Sequence, residues 1–153
     1  FGSPSSDFDE HALATQFLSW IADQLANHDD STAVWFHYGS TEPRQLRRIL
    51  GPAADTIVDR AVDVLADTIR PNFYGPTGYS LKQLAPAAGA HWRTPGATGA
   101  DTYAWIDAAR SGDQSAWNTL TGYNEDDVRA LRALRAAIAG MRAPGSTLDL
   151  APA

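Results

Sequence analysis

The stretch Thr121-Gly122-Tyr123-Asn124-Glu125-Asp126-Asp127-Val128 constrains the fold most, because it introduces the most regular helical pattern in the chain. Val128, Leu131, Leu134 and Ile138 recur at core spacing, which predicts a helix from Glu125 to about Met141. Arg129, Arg132, Arg135 and Arg142 lie largely off that face. A glycine-containing loop is expected to lead into the helix. Asn124 is suited to cap it, a contact worth ~1 kcal/mol. Glu125, Asp126 and Asp127 then fall in the first turn, where the helix dipole favours negative charge. Capping accounts for the acids but not for Tyr123. A tyrosine four residues before an aspartate puts a phenol and a carboxylate on neighbouring positions of one turn. There Asp127 could hold a divalent metal and Tyr123 a water. Tyr-x-x-x-Asp alone is a pattern expected often by chance.

With 153 residues, the chain suits one domain that buries roughly 70% of its unfolded surface. That domain is expected over residues 1–142. Residues 143–153, with two prolines and a glycine, read as a tail. Five tryptophans and 44% hydrophobic residues are those of a folded globular protein. Cysteine is absent, which excludes disulfides, thiolate metal sites and cysteine nucleophiles. No apolar run approaches the roughly 18 residues that span a bilayer, and no signal-peptide pattern opens the chain. A cytoplasmic location is the expectation. The net charge of −6 argues against a general polyanion-binding surface. It does not exclude a nuclease, because an active site built of carboxylates is acidic until metal fills it.

In chain order, residues 1–6 lack periodicity. Asp7 and Glu10 stand at capping-box spacing before a helix with Leu13, Phe17, Leu18, Ile21 and Leu25 on one face. Ala33-Val34-Trp35-Phe36-His37-Tyr38 reads as a buried strand. Pro43 sits in the first turn of the next helix, whose apolar side is Leu46, Ile49 and Leu50. Residues 57–64 are compatible with strand or helix; a short strand near 59–62, then a helix over 63–69, is the favoured reading. Residues 71–78 read as loop. Ser80 caps a short helix over 81–88, and Gly89 closes it in the left-handed conformation. A further helix begins near Asp101, burying Tyr103 or Trp105, with Ile106 and Ala109, and ends near Ser111-Gly112. Residues 114–120 are expected to add one or two turns.

Four pieces of sequence, in this order, resemble a known family: His37-Tyr38-Gly39 with Glu42, Val62-Asp63-Val64-Leu65, Tyr79-Ser80-Leu81-Lys82-Gln83-Leu84, and Tyr123-Asn124-Glu125-Asp126-Asp127-Val128. Together they resemble the ribonuclease-H-like exonuclease domain of predicted RecB-family nucleases. Those are relatives of the DnaQ-like 3′–5′ exonucleases, of the DEDD type with a tyrosine in the last motif (DEDDy). The resemblance runs from about Trp35 to Ile138. It implies an α/β, ribonuclease-H-like domain, helix-rich and with part of its sheet missing at the N-terminus. It implies two Mg²⁺ or Mn²⁺ ions that clamp a scissile phosphate and activate water. Glu42 and Asp127 match metal ligands and Tyr123 the residue that orients the attacking water. Asp63 matches a structural aspartate, and Ser80 to Leu84 a short helix beside the site. Nucleic acid, DNA or RNA, would be the partner.

The family's first motif, Asp-x-Glu on an opening strand, is not found. Asp7-Phe8-Asp9-Glu10 has the right atoms but no preceding strand, and it fits a helix start. The chain therefore reads as a piece of a longer protein, with other domains as partners, or as a divergent member. As an isolated chain it is expected to be inactive. The competing hypothesis is a non-catalytic module that binds or scaffolds within a larger nuclease or helicase protein; a third is an unrelated helical interaction domain.

Other residues have plainer readings. His37 on an apolar strand reads as a core histidine. His11, His28 and His91 share no metal-binding spacing. Arg44, Arg47 and Arg48 form a basic helix surface, read as solvated rather than phosphate-binding. Tyr74, Tyr79 and Trp92 could stack on bases, though covering the core is the safer expectation. No phosphate-binding Gly-x-x-x-x-Gly-Lys loop and no Gly-x-Ser-x-Gly elbow is present.

Overall fold

The computed structural model describes residues 9–27, 33–73 and 78–141. The expected lead at 1–6, Asp7, His28, Tyr74 and the tail at 143–153 lie outside these. Contacts gather into two units, one of residues Asp9–Thr77 and the other containing Gly78 onward.

In the first unit, helix α1 spans Glu10–Ala26, and its N-cap is Asp9, whose Oδ1 accepts from the Ala12 amide at 3.0 Å. Ile21 and Leu25 of α1 share a core with Leu46, Ala54, Ile57 and Val58. Strand β1, Trp35–His37, is the centre of the expected run 33–38. Helix α2 covers Thr41–Leu50, a 3₁₀ turn Gly51–Ala54, and helix α3 Asp55–Val58. Strand β2, Ala61–Asp63, then lies parallel to β1 with Trp35 opposite Ala61 and His37 opposite Asp63. Parallel strands need a crossover rather than a tight turn, and α2 with α3 supplies it. The Trp35 indole N–H donates to the Ile57 carbonyl at 2.7 Å, tying the crossover to the strand.

Ile57 and Val58 are thus helical, and the strand begins two residues later than the favoured 59–62. After it, Val64–Ile69 forms a π-helical segment that continues as α4, Arg70–Asn72, so Pro71 is helical rather than loop. Asp63 starts that segment: its Oδ1 accepts from the amides of Leu65, at 2.9 Å, and of Gly39, at 2.8 Å. Asp63 thus caps this segment and also holds the Gly39 turn, where φ is +80°.

In the second unit, α5 spans Leu81–Leu84 and a 3₁₀ turn follows over Ala85–Ala88. Ser80 and Gln83 make a reciprocal capping box, and Gly89 is left-handed at φ 79°, both as expected. Helix α6 covers Asp101–Arg110; Trp105 is half-buried while Tyr103 is 73% exposed.

Helix α7 departs most from the sequence reading. It is one helix, Gln114–Met141, so no loop precedes Glu125 and Asn124 is an exposed residue in its middle. Asp113 caps it instead, its Oδ1 accepting from the amides of Ser115 at 2.8 Å and Ala116 at 3.2 Å. The buried stripe runs through Ala116, Leu120, Tyr123, Asp126, Ala130, Leu134 and Ile138. Val128, expected in the core, is 69% exposed. The stripe was hidden because two of its positions are alanines and one, Asp126, is charged. Among the described residues the architecture is α/β and helix-rich, with a two-stranded parallel sheet. No described helix is long and apolar enough to cross a membrane.

Candidate active site

Tyr123 and Asp127 lie one turn apart on α7, as the four-residue spacing requires. They do not flank a helix start, so the dipole account of Glu125, Asp126 and Asp127 falls with the loop. The acids are held by side chains instead, Asp127 by Trp92 and both Glu125 and Asp126 by Arg93. The Trp92 indole N–H donates to Asp127 Oδ1 at 2.7 Å. Asp127 Oδ2 takes no hydrogen bond among the described residues. Burial pushes the Asp127 carboxyl up, against the pull of the Trp92 N–H and the nearby Lys82 ammonium.

Asp126 faces inward and is 4% exposed. It accepts from the Arg93 amide at 2.8 Å, from Arg93 Nε at 3.0 Å and from Nη2 at 2.8 Å. These bonds hold its carboxyl below the usual range and raise the guanidinium above its own. Arg93 Nη2 also donates to Glu125, at 2.6 Å, and to the Gly122 carbonyl, at 2.9 Å. Gly122, expected in a loop, lies in mid-helix. A β-carbon built there would meet the Arg93 guanidinium at 3.4 Å, the near limit of an ordinary contact, so Arg93 packs directly against the helix here.

Tyr123 is 7% exposed and meets Trp105 edge-on, with ring centroids 5.6 Å apart. The Lys82 ammonium sits 4.5 Å from the centroid of its ring and 5.6 Å from that of Trp92, while donating to the Ala97 carbonyl. A cation over these ring faces is attracted by their quadrupoles. The Tyr123 hydroxyl makes no hydrogen bond among the described residues, although the residue is buried. The ring is held on two sides, by Trp105 and by Lys82.

Glu42 belongs to the other unit, exposed in the first turn of α2. Nearby in sequence, His37 is buried, meets Trp35 with the rings tilted by 44° and their centroids 5.3 Å apart, and donates Nδ1–H to the Gly39 carbonyl at 2.5 Å, as a core histidine does. Arg47 pairs with Asp55 and Asp59, and Arg48 with Glu10, so two of the three arginines of α2 neutralise local acids. Asp63 serves the backbone, in keeping with a structural aspartate.

Among the described residues no group of three or more His, Cys, Asp or Glu side chains is placed to hold a metal ion. Asp127 supplies a single carboxylate, with Oδ1 held by the Trp92 N–H, which by itself does not make such a centre. Trp92, read above as a base-stacking or core-covering aromatic, instead orients that carboxylate. The sequence reading missed Lys82 and Arg93; the neighbouring pairs Trp92-Arg93 and Asp126-Asp127 were the available signal.

A family model described as the RNase_H superfamily matches residues 4–139. No curated protein and no solved structure matches the chain.

Proposed function

The chain belongs to the RNase H superfamily and carries a nuclease-like domain, and from that premise we propose that it hydrolyses nucleic-acid phosphodiesters, as a metal-dependent 3′–5′ exonuclease of the tyrosine-containing DEDD type. In this reading Asp127 and Glu42 are ligands of Mg²⁺ or Mn²⁺, and Tyr123 positions the attacking water. Bound metal would lower the pKa of water and neutralise charge on the phosphate. The chain's own residues do the rest. Trp92 orients Asp127, Lys82 and Trp105 fix the Tyr123 ring, and the Tyr123 hydroxyl is free to accept or donate to a water. The observation that supports the reading is that Asp127 Oδ2 and the Tyr123 hydroxyl, one helical turn apart, both lack a hydrogen bond among the described residues.

The test is Asp127→Asn in the complete protein, assayed on single-stranded DNA and RNA labelled at the 5′ end. Cleavage should fall by at least ~100-fold, as when a transition-state stabilising group is removed, with the circular dichroism spectrum unchanged. Cleavage at the parent rate overturns the assignment. A parent that binds these strands without cutting them favours a nuclease-like binding module.

A further inference from the structure

Of the 12 lysines and arginines in the chain, only Lys82 is a lysine, and it lies against the Tyr123 ring of α7. We infer that the Lys82 ammonium is the contact for a backbone phosphate of the nucleic acid, held ready at the ring faces of Trp92 and Tyr123. The inference takes its substrate class from the nuclease reading, but the contact itself needs no metal ion.

Arginine makes the ion pairs of the described residues: Arg47, Arg48, Arg93 and Arg129 each meet a carboxylate. Lys82 forms no ion pair among these residues. The capping box of Ser80 and Gln83 fixes the turn that carries it. Its ammonium lies 4.5 Å from the Tyr123 ring centroid and 5.6 Å from that of Trp92. Ring faces attract a cation without neutralising it, so the charge stays available to an anion. An ammonium has three N–H donors, and the Ala97 carbonyl takes one. The residue is half-buried, which shields its charge less from an arriving ligand than full exposure would. That charge already reaches Asp127, whose carboxyl it pulls down against the effect of burial. A phosphate brought to Asp127 meets a like charge, and Lys82 is the cation in place to offset it. Lysine suits the task as a compact point charge on a flexible stem, whereas the planar guanidinium matches the carboxylates that the arginines meet.

Binding of a 5′-fluorescein-labelled oligothymidylate to the full chain, followed by fluorescence anisotropy in EDTA, tests the contact without turnover. Lys82→Gln should bind about 10-fold more weakly, as on loss of a hydrogen bond to a charged group. The slope of log K against log salt should become shallower by about 0.7, the value of one phosphate contact to a single strand. Lys82→Arg keeps the charge and should keep the slope. A strand with uncharged methylphosphonate linkages should bind the parent and Lys82→Gln alike. Parent affinity and slope in Lys82→Gln, or a difference that persists on the uncharged strand, overturns the contact. Absence of binding in the parent overturns it too. If Lys82→Gln does not fold, the parent grown on ¹³C-lysine shows the one lysine alone, and a Cε signal that the strand leaves unmoved overturns the contact. None of these outcomes decides the nuclease reading, which stands or falls separately on cleavage by Asp127→Asn.

Discussion

The Trp92 indole N–H lies 2.7 Å from Asp127 Oδ1, bridging 35 residues of sequence to orient one carboxylate of α7. The next residue on each side, Arg93 and Asp126, forms an ion pair whose acid is almost wholly enclosed.

Two adjacent aspartates are therefore shifted in opposite directions. Burial raises Asp127, whereas hydrogen bonds from Arg93 lower Asp126. On acidification, Asp127 should take up its proton first and Asp126 last, read from the side-chain carboxyl ¹³C shifts. The linkage has opposite signs. Asp126 contributes stability above its unfolded pKa of about 3.9, lost as pH falls through its lower folded value. Asp127 contributes stability below about 3.9, lost as pH rises through its higher folded value. A reversed order of protonation would contradict the contacts described.

The continuous course of α7 separates two caps that sequence alone confuses. Asp113→Ala should destabilise the protein by about 1 kcal/mol, the usual cost of losing an N-cap. Asn124→Ala, in mid-helix and exposed, should be neutral or stabilising by up to about 0.7 kcal/mol, since alanine is the better helix former. Urea unfolding of both variants decides the matter. A larger loss at Asn124 than at Asp113 would restore the loop.

Gly122 should behave as a helix residue. Gly122→Ala places a methyl at ordinary contact distance from the Arg93 guanidinium and removes the flexibility of glycine. The expected gain is up to about 1 kcal/mol. Gly122→Val should instead crowd the guanidinium, lower the melting temperature and speed amide exchange at Trp92 and Arg93.

Tyr38 gives an alkaline signature. Burial, with Asp63 second, pushes its hydroxyl up to about 12. The neutral form is favoured in the fold, so this contribution to stability is complete below about 10 and lost as pH rises toward about 12. Absorbance at 295 nm should show one late tyrosine, absent in Tyr38→Phe. An unchanged titration in that variant would refute the assignment.

What could be read in advance was local. The Ser80 cap, the Gly89 turn and the helix of Thr41–Leu50 depend on neighbours in sequence, and all three are present. The Tyr123 and Asp127 spacing survived although its context did not, because four residues make one turn wherever the helix begins. Long-range effects were invisible. Asp126 resembles a surface acid until Arg93, 33 residues earlier, is brought against it. Val128 resembles a core residue until Ala116 and Ala130 set the buried stripe. At 57–64 the same apolar residues suit either geometry, and the pairing of Ala61–Asp63 with β1 selects the strand.

The unbroken α7 has a consequence for access. With no hinge between Tyr123 and Asp127, their separation is rigid and is set before any substrate arrives. The segment around Trp92 meets α7 through the Trp92 and Arg93 side chains and the Arg93 amide rather than through a helical ladder, so what can vary at this site between variants is that wall and not the helix.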